Sequence, residues 1–206
     1  MKNGTAAPED LAHGAVGPDD LAHGVVGAED LRVRVFFALV PDLATRALLA
    51  GAALPFCNLG RAVALCNYHM TLAFIGAVPA SQLPLLCAIG GAQRWGRFAL
   101  RFDAYEHWPK PEVLVAAART VPEALQHFWR QLHEDLAVHR LALAPKRLRP
   151  HVTLVRRISQ DLKLPVMPSF DWPVREFSLM RSETSGGESA YTVIDTWPLL
   201  DTRESG

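Results

Sequence analysis

His69-Met70-Thr71-Leu72-Ala73-Phe74-Ile75-Gly76 and His151-Val152-Thr153-Leu154-Val155-Arg156-Arg157-Ile158 open on the same His-x-Thr-Leu pattern. Both runs are rich in β-branched and apolar residues and read as strands. Alternation along a strand puts residues i and i+2 on one face, so each histidine shares a face with its threonine while Leu72 or Leu154 packs behind. An imidazole and a hydroxyl then stand roughly 7 Å apart at Cα, able to grip one small oxyanion. A lone strand histidine is more often a core residue hydrogen-bonded to backbone than a catalyst. Two equivalent ones, each with its threonine, point to a paired site.

The surroundings repeat as well. His69 follows a strand beginning at Val33 by 36 residues, and His151 follows a strand beginning at Val113 by 38, with a proline and a helical segment between strand and motif in both cases. The order strand, proline, helix, His-x-Thr strand occurs twice. It implies two halves related by a pseudo-twofold axis, with the two His-x-Thr pairs facing each other across one cleft.

A chain of 206 residues, half of them hydrophobic, supports one domain with a substantial core or two small lobes. The formal net charge is zero, so no global field draws the protein to nucleic acid or to an acidic membrane. Local charge is uneven. No acidic residue occurs from Ala137 to Gln160, while Arg140, Lys146, Arg147, Arg149, Arg156 and Arg157 crowd the second motif. Taken alone this is a solvated basic face; wrapped around a His-x-Thr pair it suits a phosphate-bearing substrate. Cys57, Cys66 and Cys87 are odd in number and lack a Cys-x-x-Cys spacing, which suggests buried free thiols in a reducing compartment. No apolar run approaches the ~20 residues needed to span a bilayer, and the N-terminus lacks the regions of a signal peptide. A soluble, cytoplasmic monomer without a membrane partner is expected.

Residues 1–30 carry a ten-residue repeat, Pro8 to Gly17 and again Pro18 to Gly27, followed by the fragment Ala28-Glu29-Asp30-Leu31. A period this short, broken by glycine and proline, closes no core of its own and reads as a flexible acidic tail. The folded domain is expected over 31–200, with 201–206 as a C-terminal tail. Within it, Val33 to Val40 reads as a central strand buried on both faces. Asp42 starts a helix with Leu43, Ala47, Leu48 and Leu54 as its apolar stripe. A second helix runs from Ser81 to Gly90-Gly91. The segment from Tyr105 to Pro111 is expected to be a loop, because its prolines forbid helix. The helix from Pro122 to about Arg140 has Leu125, Phe128, Trp129, Leu132 and Leu136 at helical spacing. His127, His133 and His139 lie on it; the zinc spacing His-Glu-x-x-His is absent, so exposed or capping histidines are expected. Ser185-Gly186-Gly187-Glu188 marks a hairpin between two late strands.

Histidine titrates near neutrality, so two across a cleft can serve as base and acid in one turnover. Threonine hydroxyls can donate to non-bridging phosphate oxygens and counter charge that builds up there. The set suits in-line displacement at phosphorus: one imidazole takes a proton from water and the other protonates the leaving oxygen. A cyclic phosphodiester fits, because its leaving oxygen stays tethered. Neither a metal nor another cofactor is called for, since cysteine and carboxylate ligands are missing from both motifs.

The chain resembles the two-histidine (2H) phosphoesterase superfamily, and within it the bacterial RNA 2′,3′-cyclic phosphodiesterases, also described as 2′-5′ RNA ligases. The resemblance is carried by Arg34-Val35-Phe36-Phe37-Ala38-Leu39, by the first motif, and by Arg149-Pro150-His151-Val152-Thr153-Leu154-Val155-Arg156, and spans roughly Leu31 to Leu200. It implies a bilobal α+β fold, with two antiparallel sheets lining a central cleft and helices outside. The implied reaction converts 2′,3′-cyclic phosphate ends of RNA, or small cyclic nucleotides, to 2′-phosphomonoesters. By position, His69 is the implied general acid and His151 the base, with Thr71, Thr153 and Arg156 holding phosphate. Strict alternation puts Arg156 on the face opposite His151, so Arg157 is a rival. Relatives often carry a tryptophan in the strand at Val113-Leu114-Val115; here Tyr105, His107 and Trp108 lie upstream, available to stack a base. Alternatives are a phosphodiesterase or weak ligase for other cyclic or 2′-5′-linked nucleotides, and a nucleotide-binding module that turns nothing over.

Overall fold

The computed structural model describes residues 31–141, 147–185 and 188–201. The ten-residue repeat of 1–30 lies outside the described residues, as does nearly all of the C-terminal segment 201–206. In chain order the elements are β1 (Arg32–Leu39), α1 (Leu43–Ala53), β2 (Arg61–Ala62), β3 (Met70–Pro79), α2 (Leu83–Ala92), β4 (Phe98–Phe102) and β5 (Ala104–Trp108). They continue with β6 (Val113–Ala117), α3 (Glu123–Val138), β7 (His151–Arg156), β8 (Phe170–Val174), β9 (Glu176–Ser185) and β10 (Glu188–Pro198). Two four-stranded sheets result, ordered β10-β9-β1-β3 and β2-β7-β6-β5, with β4 and β8 forming a two-stranded third. Every pairing between these strands is antiparallel. The fold is therefore α+β, and each motif strand lies beside the first strand of its own half: β3 on β1, β7 on β6.

The lobes are not sequential halves. β2, from the N-terminal part of the chain, pairs with β7, while β9 returns to pair with β1 and β10 lies outside β9. β1 thereby acquires partners on both edges, as its near-continuous apolar run requires.

Most of the apolar side chains form one core that joins both sheets to the helices, among them Phe37, Leu39, Leu72, Leu114, Phe128, Leu154 and Phe177. Two small clusters lie apart from it. Phe36, Ala38 and Met180 form one, with Val40 and Tyr191 against them; Ala104, Val113, Val115 and Ala117 form the other, with Trp108. Each occupies the face of its sheet that carries the motif side chains. These two patches are the floors of the two lobes.

The helices show where pattern and packing part company. Asp42 caps α1, its carboxylate accepting from the Thr45 N–H at 2.7 Å, and this hydrogen bonding keeps the carboxyl pKa below the usual range. The buried side of α1 is Thr45, Leu49 and Ala53, whereas the expected stripe residues Leu43, Leu48 and Leu54 are exposed. A helix apolar nearly all round carries no periodic signal to fix its face. In α3, Leu125, Phe128, Leu132 and Leu136 are buried as expected, but so is His133, at 3% exposure. The segment Ala104–Trp108 is a strand and not a loop, since its prolines fall after the paired residues. Cys57 and Cys66 are exposed and Cys87 is half-buried, because they sit in turns and on a helix flank and not inside strands; all three are free thiols.

Candidate active site

Both motif strands depart from strict alternation at the same place. On β3, Thr71 lies opposite Ala38 and Ala73 opposite Phe37, leaving Leu72 as an extra residue. On β7, Thr153 lies opposite Val115 and Val155 opposite Leu114, leaving Leu154 as the extra residue. Each leucine is thus the bulged residue of its motif, buried at 3% and 0% exposure. A bulge reverses the alternation beyond it. Arg156, opposite Val113, therefore shares a face with Thr153 and His151, opposite Val115 and Ala117. The obstacle that alternation raised for Arg156 is removed by the bulge at Leu154.

Between the sheets lies a cleft of about 890 Å³, lined on one side by Arg34, Phe36, His69, Thr71, Phe74 and Tyr191. Arg61, Val113, Arg156 and Arg157 line the opposite wall. His151 and Thr153 stand on the Arg156 face of β7. They are not among the residues lining the cavity itself. His69 nevertheless feels the charge of both His151 and Arg156, and His151 feels Arg156, so the two motifs share one electrostatic environment.

The two imidazoles are held alike. His69 Nδ1 is 2.8 Å from the Asn67 carbonyl and His151 Nδ1 is 2.7 Å from the Arg149 carbonyl, each two residues upstream. A carbonyl only accepts, so Nδ1 donates in both and Nε2 is left for proton exchange. The ring of His69 packs against Phe36 and Tyr191, with centroids 4.9 and 4.8 Å away. That of His151 packs on Trp108 at 4.5 Å. Trp108 is fixed in turn: its Nε1 donates to Glu106 at 2.8 Å, Arg149 donates to the same carboxylate oxygen at 2.6 Å, and the Arg149 guanidinium lies 4.4 Å over the indole. Burial lowers both histidine pKa values, against the rise caused by their backbone hydrogen bonds. For His69 the neighbouring Arg156 and His151 lower it further; for His151, Arg149 and Arg156 lower it while Glu106 raises it.

The cleft is basic. Arg34, Arg61, Arg156 and Arg157 line it, and among the described residues no carboxylate does. Arg61 and Arg156 are direct neighbours in the β2–β7 pair. Arg157 adopts φ 61°, a left-handed conformation that costs a non-glycine residue of order 1–3 kcal/mol. Arg156 and Arg157 both line the cleft. Of the aromatics upstream of Val113, only Trp108 reaches the cleft face; Tyr105 is buried with its hydroxyl donating to the Ala52 carbonyl, and a His107 ring nitrogen lies 3.2 Å from the Ile158 carbonyl. Tyr191 and Phe36 went unmarked in the sequence. Tyr191 reaches His69 only because β10 returns to the first lobe, a pairing that no local pattern announces.

No family model matches the chain. Among solved structures similar to it, Escherichia coli LigT complexed with 3′-AMP, at 28% identity and a TM-score of 0.75, covers 83% of this chain and 100% of its own. A Thermus thermophilus structure, at 28% identity and a TM-score of 0.70, covers 82% of this chain and 99% of its own. Among curated proteins, the RNA 2′,3′-cyclic phosphodiesterase of Escherichia coli is 32% identical over 142 residues, which span 68% of this chain and 80% of that protein. That of Thermus thermophilus is 32% identical over 142 residues, 64% of this chain and 71% of that protein. The chain belongs to the RNA 2′,3′-cyclic phosphodiesterase family of the 2H phosphoesterases.

Proposed function

We propose that this protein hydrolyses 2′,3′-cyclic phosphate ends of RNA or of small nucleotides to 2′-phosphomonoesters, with His69 and His151 as its acid and base and without a metal. The observation that carries the reading is the equivalence of the two imidazoles, each pinned through Nδ1 to the carbonyl two residues upstream, beside an arginine-lined cleft. His151 Nε2 takes a proton from water as the water oxygen bonds to phosphorus. The bond from phosphorus to O3′ breaks, and His69 Nε2 delivers its proton to that oxygen. Thr71 and Thr153 donate to the non-bridging oxygens, and Arg156 and Arg157 offset the charge that grows on them.

The role of each histidine follows the resemblance. In the free protein the electrostatics favour neither histidine as the proton carrier: burial and neighbouring cations lower both pKa values, and Glu106 opposes this only at His151. The incoming phosphate must supply the balance. The deciding experiment is hydrolysis of a cyclic-phosphate-ended oligonucleotide in excess chelator, with the position of the product phosphate resolved. His69→Ala and His151→Ala should each lose about 10²–10⁴ in rate, with a 2′-phosphate as the wild-type product. Near-normal turnover by either variant removes that histidine from the mechanism; saturable binding without product makes the chain a binding module.

A further inference from the structure

Leu72, the bulged residue of β3, is buried, and a buried carbonyl without a donor costs roughly 1–3 kcal/mol. Its donor comes from α3, 61 residues further along the chain. His133 Nε2 lies 3.0 Å from the Leu72 oxygen. Since that oxygen can only accept, Nε2 carries the hydrogen and Nδ1 is the bare nitrogen. Nδ1 is itself buried with no partner, so in satisfying the carbonyl this side chain brings an unsatisfied polar atom of its own into the core. A leucine there would have spared that cost. The ring is set by Trp129, whose centroid is 4.7 Å away.

The second motif shows what the contact is for. There the equivalent bulged carbonyl, that of Leu154, accepts from the Val63 backbone N–H at 2.9 Å. The two motifs thus secure the same atom with donors of different origin, a main-chain amide in one lobe and a histidine side chain in the other.

We propose that His133 is a positioning residue of the active site, clamping the bulge at Leu72 so that His69 and Thr71 remain on the cleft face of β3 together with Phe74. Without the clamp the extra residue can move along the strand, and a slip of one position turns the side chains beyond it to the other face. The function ascribed here rests on the reading of His69 as the acid and Thr71 as a hydrogen-bond donor to phosphate.

The test compares His133→Leu, which keeps the bulk and removes the donor, with His133→Gln, whose amide can donate from a similar distance. Both are assayed well below their melting temperatures. His133→Leu should lower kcat between about tenfold and a hundredfold, the scale of a small misplacement of reacting groups, and His133→Gln should recover most of it. In combination with Thr71→Ala, His133→Leu should cost less than it does alone, since both changes act on one contact. Should His133→Leu lower the melting temperature while leaving kcat within about twofold, or should its cost add fully to that of Thr71→Ala, His133 is a packing residue and the proposal fails. The binding of inorganic phosphate, followed by the amide resonance of Thr71, gives a readout that needs no turnover. If the wild type turns over no cyclic phosphate, the functional reading fails, and the clamp stands or falls on whether His133→Leu weakens phosphate binding while His133→Gln does not.

Discussion

The pH response of the cleft belongs to two nitrogens, Nε2 of His69 and of His151. Burial keeps both pKa values below the ordinary 6.5, so at pH 7 the free protein holds both rings neutral. A phosphate beside them favours the charged form of each and raises both values. Binding of phosphate at pH 7 should therefore take up protons, and the calorimetric enthalpy should vary with the ionisation enthalpy of the buffer. Affinity should fall as pH rises through the bound-state pKa. An enthalpy independent of buffer would mean that the imidazoles do not face the anion. These histidines and their threonines were legible because the motif occurs twice, and repetition distinguishes chemistry from chance. Their supports were not. Trp108 and Glu106 meet Arg149 only after β5 and β6 have paired, and His133 looked like any polar residue of an amphipathic helix until its carbonyl partner on β3 was known.

Strands β3 and β7 are both bulged within their motifs, which is why period-two reading puts Thr71 and Thr153 on the faces of their histidines but turns Arg156 to the opposite face. A bulge leaves no mark in composition; it appears only in the register against a neighbour. Gly60 bears on the same strand from the other side. A Cβ at Gly60 would collide with the Arg156 carbonyl and come within 2.9 Å of Ile158 Cγ1 and 3.1 Å of Val155 Cγ1. Gly60→Ala should therefore destabilise the protein by about 1–3 kcal/mol and lower turnover by shifting Arg156. Thermal denaturation and initial rates check both parts; a variant with wild-type stability and rate would mean that β7 has slack at this point. The face of α3 was readable because polar residues interrupt its apolar ones. That of α1 was not, since Leu43, Leu48 and Leu54 are as apolar as the buried Leu49.

Charge across the molecule is neutral in sum and concentrated in place. Among the described residues, four arginines and no carboxylate line the cleft, so an oligonucleotide ending in a cyclic phosphate should bind with a steeper salt dependence than a cyclic mononucleotide, which offers one phosphate. Measuring KM for both substrates between low and moderate salt decides this, and equal slopes would confine the contacts to the reacting phosphate. Two lobes and a cleft were legible from the repeated order of strand, helix and motif strand. Their interleaving was not, because long-range pairing leaves no local trace. That interleaving has a consequence for how the protein comes into being. Phe36 of the first strand pairs with Met180, and Tyr191, which packs on His69, follows later still. On the ribosome, the early strand must wait for nearly the whole chain to emerge before its sheet is complete, so the wall around His69 forms only late in synthesis and partly made chains have no finished cleft to act on RNA.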